Sequence, residues 1–365
     1  MVTEGEDGRV IAGRYRLGAR LGSGGMGVVW RATDQLLGRQ VAVKALPLDV
    51  PLSPLRDPRS AAEARRRRDR TLREARAVAR LSHPNIIVVH DVVEDDGRPY
   101  IVMELIDGGS LADRIAAYGP VDAAEAARIG IALLGALRTA HAAGVLHRDV
   151  KPSNVLVAGD GRVVLTDFGV AQVEGTTTLT ETGSFVGSPE YTAPERMAGT
   201  GTGPESDLWS LGALLCAALS GESPFRRDSL GGIVHAVVDE AVRPPAEAGP
   251  LLPVVSGLLE RDPGRRLDAA GAEEMLRAYL ATGRTPAPSP GAEARRPSRR
   301  GLLMAALLAV ATAGAGIGAA LLLADGPDGD GGDPPVSSPP KAPASSAPGT
   351  SSPSPTPPFS PSPGM

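Results

Sequence analysis

Apolar and polar residues alternate on both sides of a glycine cluster in "YRLGARLGSGGMGVVWRATD", residues 15–34. This pattern predicts two strands joined as a β-hairpin. In "QVAVKAL", Val41 and Val43 share one face of a predicted strand while Ala42 and Lys44 share the other. The period then lengthens: in "TLREARAVARLSHPN", Glu74, Val78 and Leu81 stand at offsets of four and seven, on the inward face of a helix. "HPNIIVV" reads as a loop and then a strand, and "PYIVMELIDGGSL" as a strand running into glycines and a helix start. "AAEAARIGIALLGALRTAHAAG" carries helical periodicity over a length that predicts a long buried helix.

Beyond about residue 282 the pattern changes twice. Residues 283–300 turn to Pro, Ser and Arg, as a linker does. "GLLMAALLAVATAGAGIGAALLL", residues 301–323, then contains no charge. As a helix it would measure about 34 Å, against a hydrocarbon core of about 30 Å, and it is expected to cross a membrane. A core helix between a Pro-rich linker and a Pro/Ser-rich tail would have nothing to pack against, and the position is not that of a secretory signal. Arg295, Arg296, Arg299 and Arg300 precede the span, whereas no basic residue follows it until Lys341. That asymmetry places the N-terminal region in the cytoplasm. Gly314 and Gly318 form a G-x-x-x-G that could bring two copies together as a homodimer, although so Gly- and Ala-rich a segment contains such spacings by chance. Residues 324–365, rich in Pro and Ser, are expected to form an extended, disordered tail outside the membrane.

Composition narrows the classes. With 365 residues there is room for a bilobal catalytic unit and appendages. A net charge of −4 argues against nucleic acid as the main partner. The single cysteine, Cys216, excludes an internal disulfide framework and a cysteine-built zinc site, and in "LGALLCAALSG" it reads as a core filler. The histidines are scattered without metal-ligand spacing.

The densest chemistry is "HRDVKPSN", His147 to Asn154. Desolvated charges cost several kcal/mol each unless paired, so stability alone gives no reason to crowd them; handling phosphate and metal does. Gly22, Gly24 and Gly27 fit G-x-G-x-x-G, a weak signal alone. A dinucleotide-binding loop would open a helix here, whereas "VVW" continues as strand, and a hairpin with no ligand is the plainer alternative. Such glycines let a backbone bend over a polyphosphate and donate N–H groups to it. An interior-facing Lys44 needs a partner; Glu74 is the expected one, with Glu63 a competitor inside an arginine-rich stretch. That stretch reads as a solvated helix face, or else as a docking or anionic-lipid surface. The backbone at Glu104 and Ile106 would suit a hinge that reads a flat base, with Asp107 in reach of a ribose hydroxyl.

From about Tyr15 to Leu280 the chain resembles the eukaryotic-type serine/threonine protein kinases of the bacterial membrane-anchored kind. The resemblance rests on an ordered set: the glycine loop, "VAVK", "HRDVKPSN", "DFG" at 167–169, "APE" at 193–195 and "DLWSLG" at 207–212. It implies an α+β, bilobal protein-kinase fold over residues 14–282 after a short extension at 1–13. The small β-rich lobe with one main helix would span 14–104, the hinge 104–109 and the larger helical lobe 110–282.

The resemblance also implies ATP and Mg²⁺ as cofactors and protein substrates bearing Ser or Thr. Leu21, Gly22, Ser23, Gly24, Gly25, Met26, Gly27, Val28 and Val29 would cover the nucleotide. Ala42 would line its site, and Lys44, held by Glu74, would contact its phosphates. Asp149 would be the base that orients the substrate hydroxyl, and Lys151 would lie near the transferring phosphate in a pattern of Ser/Thr specificity. Asn154 and Asp167 would offer oxygens to the metal, while His147 would only pack beneath the loop. Thr180 and Thr182 are the implied autophosphorylation sites, with Arg148 the cation awaiting the phosphate. "SPEYTAPE" implies a platform for a protein substrate. In it Ser188 stands where relatives usually carry Thr, the hydroxyl that bridges the catalytic Asp and Lys. Glu195 would pair with Arg266, Arg265 being the near competitor.

Overall fold

The period-two segments pair as their patterns require. In the computed structural model, which describes residues 8–24, 27–46, 58–169 and 188–286, they form a six-stranded antiparallel sheet. Its strands are β1 (Val10–Ile11), β2 (Tyr15–Gly24), β3 (Gly27–Asp34), β4 (Arg39–Ala45), β5 (Val89–Asp95) and β6 (Arg98–Glu104), in the order β1-β2-β3-β4-β6-β5. Gly24 pairs with Gly27 at the tip of the β2–β3 hairpin, and Gly27 has φ +110°, a conformation that a side chain would strain. Gly25 and Met26 lie outside the described residues.

β4 carries out the division of faces read from its sequence. Val41 and Val43 enter one apolar cluster with Tyr15, Leu17, Trp30, Tyr100 and Val102. Ala42 belongs to another, with Ile87, Met103 and Val164, between the sheet and the second lobe. At the edge, Asp34 is fully buried and accepts two hydrogen bonds from Arg14, at 2.8 and 2.7 Å. Those bonds and the backbone N–H groups of Leu36 and Leu37 bring its carboxyl down to about 2, so it is ionised at neutral pH.

One strand begins later than its apolar run predicts. Ile86 and Ile87 do not join β5; Ile86 makes an isolated parallel bridge to Leu165, and the Ile87 N–H donates to the Leu165 carbonyl at 3.0 Å. Both isoleucines are buried, so the run is apolar because it is packed between lobes.

Between β4 and β5 runs α1 (Pro58–Val78), whose buried positions, Ala75 and Val78, fall on the face that the sequence pattern marks as inward. The second lobe begins at β7 (Gly108–Ser110), which pairs with β8 (Val155–Ala158), itself paired with β9 (Val163–Leu165). A Cβ on Gly108 would lie 2.1 Å from the Val157 carbonyl oxygen, so only glycine permits this crossing. α2 (Leu111–Tyr118) opens with a capping box between Ser110 and Asp113. α3 (Ala123–Ala142), capped by Asp122, is the predicted long helix. Short α4 (Pro194–Met197) leads to α5 (Pro204–Ser220), α6 (Leu230–Val238), α7 (Leu252–Leu258) and α8 (Ala269–Thr282), which stops at Gly283 in the left-handed conformation.

α3 and α5 supply the centre of this lobe, where Leu133, Leu134, Leu137, Leu211, Leu214, Leu215 and Cys216 are fully buried. No helix among the described residues is long and apolar enough to cross a membrane. The span at 301–323, its linker from residue 287 and the tail lie outside them, as do Thr180 and Thr182.

Burial raises the Cys216 thiol to about 12, which leaves almost no thiolate at neutral pH. The folded protein is therefore expected to resist a maleimide at pH 7.5 and to take up one equivalent after denaturation, as mass spectrometry of the labelled chain would measure.

Candidate active site

A carboxylate on α5 shapes the loop that precedes β8. Asp207 is buried, and it accepts the backbone N–H of His147 at 2.9 Å and that of Arg148 at 2.8 Å. His141 Nε2 lies 2.7 Å from the same carboxylate. Burial works against ionisation, yet the hydrogen bond and charge of His141 prevail and hold the carboxyl below the usual range. With its amide so held, Arg148 adopts φ +66°, unusual for a residue with a side chain, and its carbonyl accepts from the Arg196 guanidinium.

His147 is fully buried, and burial lowers its pKa, keeping the ring neutral. Its Nδ1 accepts the Asp149 N–H at 3.2 Å, so Nε2 carries the proton and donates to the Thr166 carbonyl at 2.9 Å. Against Phe168, at 4.6 Å between ring centroids, it is a packing and positioning residue.

The turn brings the expected polar groups together. Asp149 Oδ2 accepts from Lys151 Nζ and from Asn154 Nδ2, each at 2.8 Å. Asn154 Nδ2 also donates to the Asp149 carbonyl at 2.8 Å, so its side-chain oxygen is the atom left for a cation. Lys151 Nζ reaches Ser188 Oγ at 2.9 Å, and serine thereby keeps the lysine contact expected of the usual threonine. Asp167 follows Thr166 at φ +63°. Gly169 donates to the His147 carbonyl at 2.9 Å, and a Cβ there would lie 2.8 Å from that oxygen.

The expected ion pair is exchanged for another. Lys44 Nζ lies 2.8 Å from Asp167 Oδ1, and Glu74 turns to Arg70 at 3.4 Å and to Arg148 at 3.9 Å. Glu74 is on the inward face of α1, as its phase predicts, but helical phase sets only the direction of a side chain. Where the helix stands against β4 decides which cation it meets. The Glu63 side chain lies outside the described residues.

At the hinge, the Glu104 N–H donates to the Val88 carbonyl at 2.9 Å, and its carboxylate binds Arg162 at 2.8 Å and the Val88 N–H at 3.0 Å. The Glu104 amide hydrogen is thus spent within the protein. Asp107 is exposed beside Arg31, 3.4 Å away. On the platform side, Arg266 grips Glu195 in a fork at 2.8 and 3.0 Å, and Ser206 adds a bond at 2.8 Å. Arg266 also lies over the Trp209 ring, while Arg265 is exposed, 4.0 Å from Glu260.

Asn154 and Asp167 present hard oxygen donors, the kind that Mg²⁺ prefers. No cluster of three or more His, Cys, Asp or Glu residues suited to a metal occurs among the described residues. A cation bound here would take the rest of its shell from water and phosphate, which is how Mg²⁺ is held in nucleotide sites.

The sequence profile described as the protein kinase domain matches residues 15–278. The chain belongs to the protein kinase family. A protein of Corynebacterium efficiens named as a probable serine/threonine-protein kinase is 39% identical over 244 residues, which is 65% of this chain and 35% of the relative. The serine/threonine-protein kinase PknA of Mycobacterium tuberculosis is 36% identical over 289 residues, 76% of this chain and 64% of the relative. PknJ of Mycobacterium bovis, also named a serine/threonine-protein kinase, is 38% identical over 286 residues, 74% of this chain and 46% of its own length. The chain thus spans between about a third and two thirds of the curated relatives it matches.

Within this kinase domain, Asp207 is the residue whose role the sequence did not assign. The signal was present: a carboxylate heading the otherwise apolar run of α5 must be satisfied by something buried with it. Arg196, half-buried and bonded to the Arg148 carbonyl, has no pattern around it in the sequence that marks this role.

Burial disfavours the Glu195 charge, but Arg266 outweighs burial and holds the carboxyl below its ordinary value. A depressed carboxyl contributes stability above the ordinary glutamate range and loses it as pH falls through the lowered value. Glu195→Gln, which leaves the Arg266 guanidinium buried without a counter-charge, is expected to cost on the order of 3 kcal/mol at pH 7. Urea unfolding of both proteins across pH 3–7 would show that difference shrinking toward the acid end.

Proposed function

We propose that the chain is a membrane-anchored serine/threonine protein kinase that transfers the γ-phosphate of ATP to Ser and Thr hydroxyls of proteins, its own activation segment included. The observation that carries this reading is the Asp149 carboxylate, held between Lys151 and Asn154 with the Ser188 hydroxyl on the same lysine.

In this reading the substrate hydroxyl meets Asp149, which orients it and takes up its proton as the oxygen attacks the γ-phosphorus and the bond to ADP breaks. Lys151 sits where negative charge gathers on the transferring group, and Ser188 keeps it there. Asn154 and Asp167 would hold a Mg²⁺ ion, which would offset the negative charge of the phosphates. Lys44, paired with Asp167 in this structure, would turn to the α- and β-phosphates. The platform from Ser188 to Glu195, anchored through Arg266, favours a protein over a small molecule as acceptor.

The Arg148–Glu74 contact supplies a route to regulation. A phosphothreonine at position 180 or 182 carries nearly two negative charges and competes for Arg148. Once released, Glu74 can take Lys44 from Asp167. The apolar run at 301–323, with arginines on its N-terminal side, supports one membrane crossing with the catalytic region in the cytoplasm. G-x-x-x-G spacing within it leaves room for a homodimer.

Asp149→Asn and Lys44→Met are each expected to stay folded and to lose about a hundredfold or more in autophosphorylation with ATP and Mg²⁺. Near-normal turnover of both would refute the assignment. Replacing Thr180 and Thr182 together by Ala is expected to lower activity severalfold, and phosphopeptide mapping that finds phosphate in the linker alone would count against the activation scheme. Deleting 301–323 should move the protein from the membrane to the soluble fraction.

A further inference from the structure

The outward face of α1 is a strip of positive charge on a protein that is acidic overall. Arg65, Arg66, Arg73, Arg76 and Arg80 are all exposed. At 3.6 residues per turn the four on α1, Arg65, Arg66, Arg73 and Arg76, fall within an arc of about 100° along roughly 16 Å, and Arg80 follows in the turn two residues past the helix end. Among the described residues none of them has an acidic side-chain partner; Arg73 only donates to the Asp69 carbonyl. Asp69 is the one acid on the arc, and Ala62 its exposed apolar residue. By contrast, Arg68 and Arg70, at the borders of the strip, are paired with Glu94 and Glu74.

We propose that this strip is a contact surface for the anionic headgroups of the bilayer that anchors the chain. The proposal rests on the reading of 301–323 as a membrane span. The last described residue, Pro286, stands 15 positions before Gly301. Fully extended, those positions reach at most about 50 Å, so the domain is confined near the leaflet and meets it at high effective concentration. The strip's chemistry also favours a lipid surface over a folded protein. Among its described residues it exposes no aromatic or large aliphatic side chain to enter a partner's pocket, whereas protein interfaces draw most of their affinity from such anchors. A diffuse negative surface needs none. Each arginine near such a leaflet is worth roughly a fivefold gain in occupancy, and the strip, with Arg80 at its end, carries four net positive charges by its five arginines and one aspartate.

The test uses the full chain carrying Ala62→Cys, labelled with an environment-sensitive dye. Cys216, being buried, does not compete for the label. The protein is reconstituted into nanodiscs of phosphatidylcholine, with or without about one-third phosphatidylglycerol, that contain a headgroup spin label. The expected result is quenching several-fold stronger in the anionic discs, declining as salt is raised. It should be lost when Arg65→Gln, Arg66→Gln, Arg73→Gln, Arg76→Gln and Arg80→Gln are combined, with autophosphorylation in detergent unchanged. Equal quenching in both lipids, none in either, or its persistence in the Gln variant overturns the proposal, whether or not the strip captures an acidic protein. If the chain does not incorporate into discs, the span reading fails. Vesicles of the same compositions added from outside then decide the surface by the same readout.

Discussion

The buried carboxylate of Asp207 is the constraint from which the catalytic geometry follows. Two consecutive backbone N–H groups, those of His147 and Arg148, end on it, with His141 alongside. Consecutive amides can converge on one acceptor only if the chain turns sharply between them, and Arg148 accordingly takes a left-handed conformation. From that turn Asp149 projects toward Lys151 and Asn154, and the His147 carbonyl is aimed at Gly169. A helix from the middle of the second lobe thus fixes a loop some sixty residues earlier in sequence, and the burial of α5 makes the anchor rigid.

Around this loop four charged side chains form two pairs, Lys44 with Asp167 and Glu74 with Arg148. Each pair joins the first lobe to the second. Both satisfy their charges internally, and both occupy groups that phosphate, metal or a phosphorylated loop would otherwise claim. The cost of leaving a half-buried charge unpaired makes exchange of partners far cheaper than simple separation. In the proposed reading, arriving ligands would substitute for these protein partners.

Much of this was legible in the sequence because it is local. The hairpin followed from alternation, α3 from its long apolar period, and the Asp149, Lys151 and Asn154 cluster from its spacing within one tight turn. Arg266 rather than Arg265 met Glu195, as the family resemblance implied. What was not legible depends on where separate elements come to rest. The phase of α1 gave the direction of Glu74 but not the distance between that helix and β4. Ile86 and Ile87 had the composition of a strand and serve as an interlobe filler. The Glu104 N–H is used by the Val88 carbonyl, a pairing no local pattern announces.

The segment after α1 is stitched to the second lobe: Leu165 exchanges backbone hydrogen bonds with Asn85 and Ile87, and the Asn85 side chain holds the Val163 carbonyl at 2.7 Å. The C-terminal turns of α1, which carry Glu74, Ala75 and Val78, are thereby tethered to the second lobe within seven residues of the helix end, whereas its N-terminal turns have no such tie among the described residues.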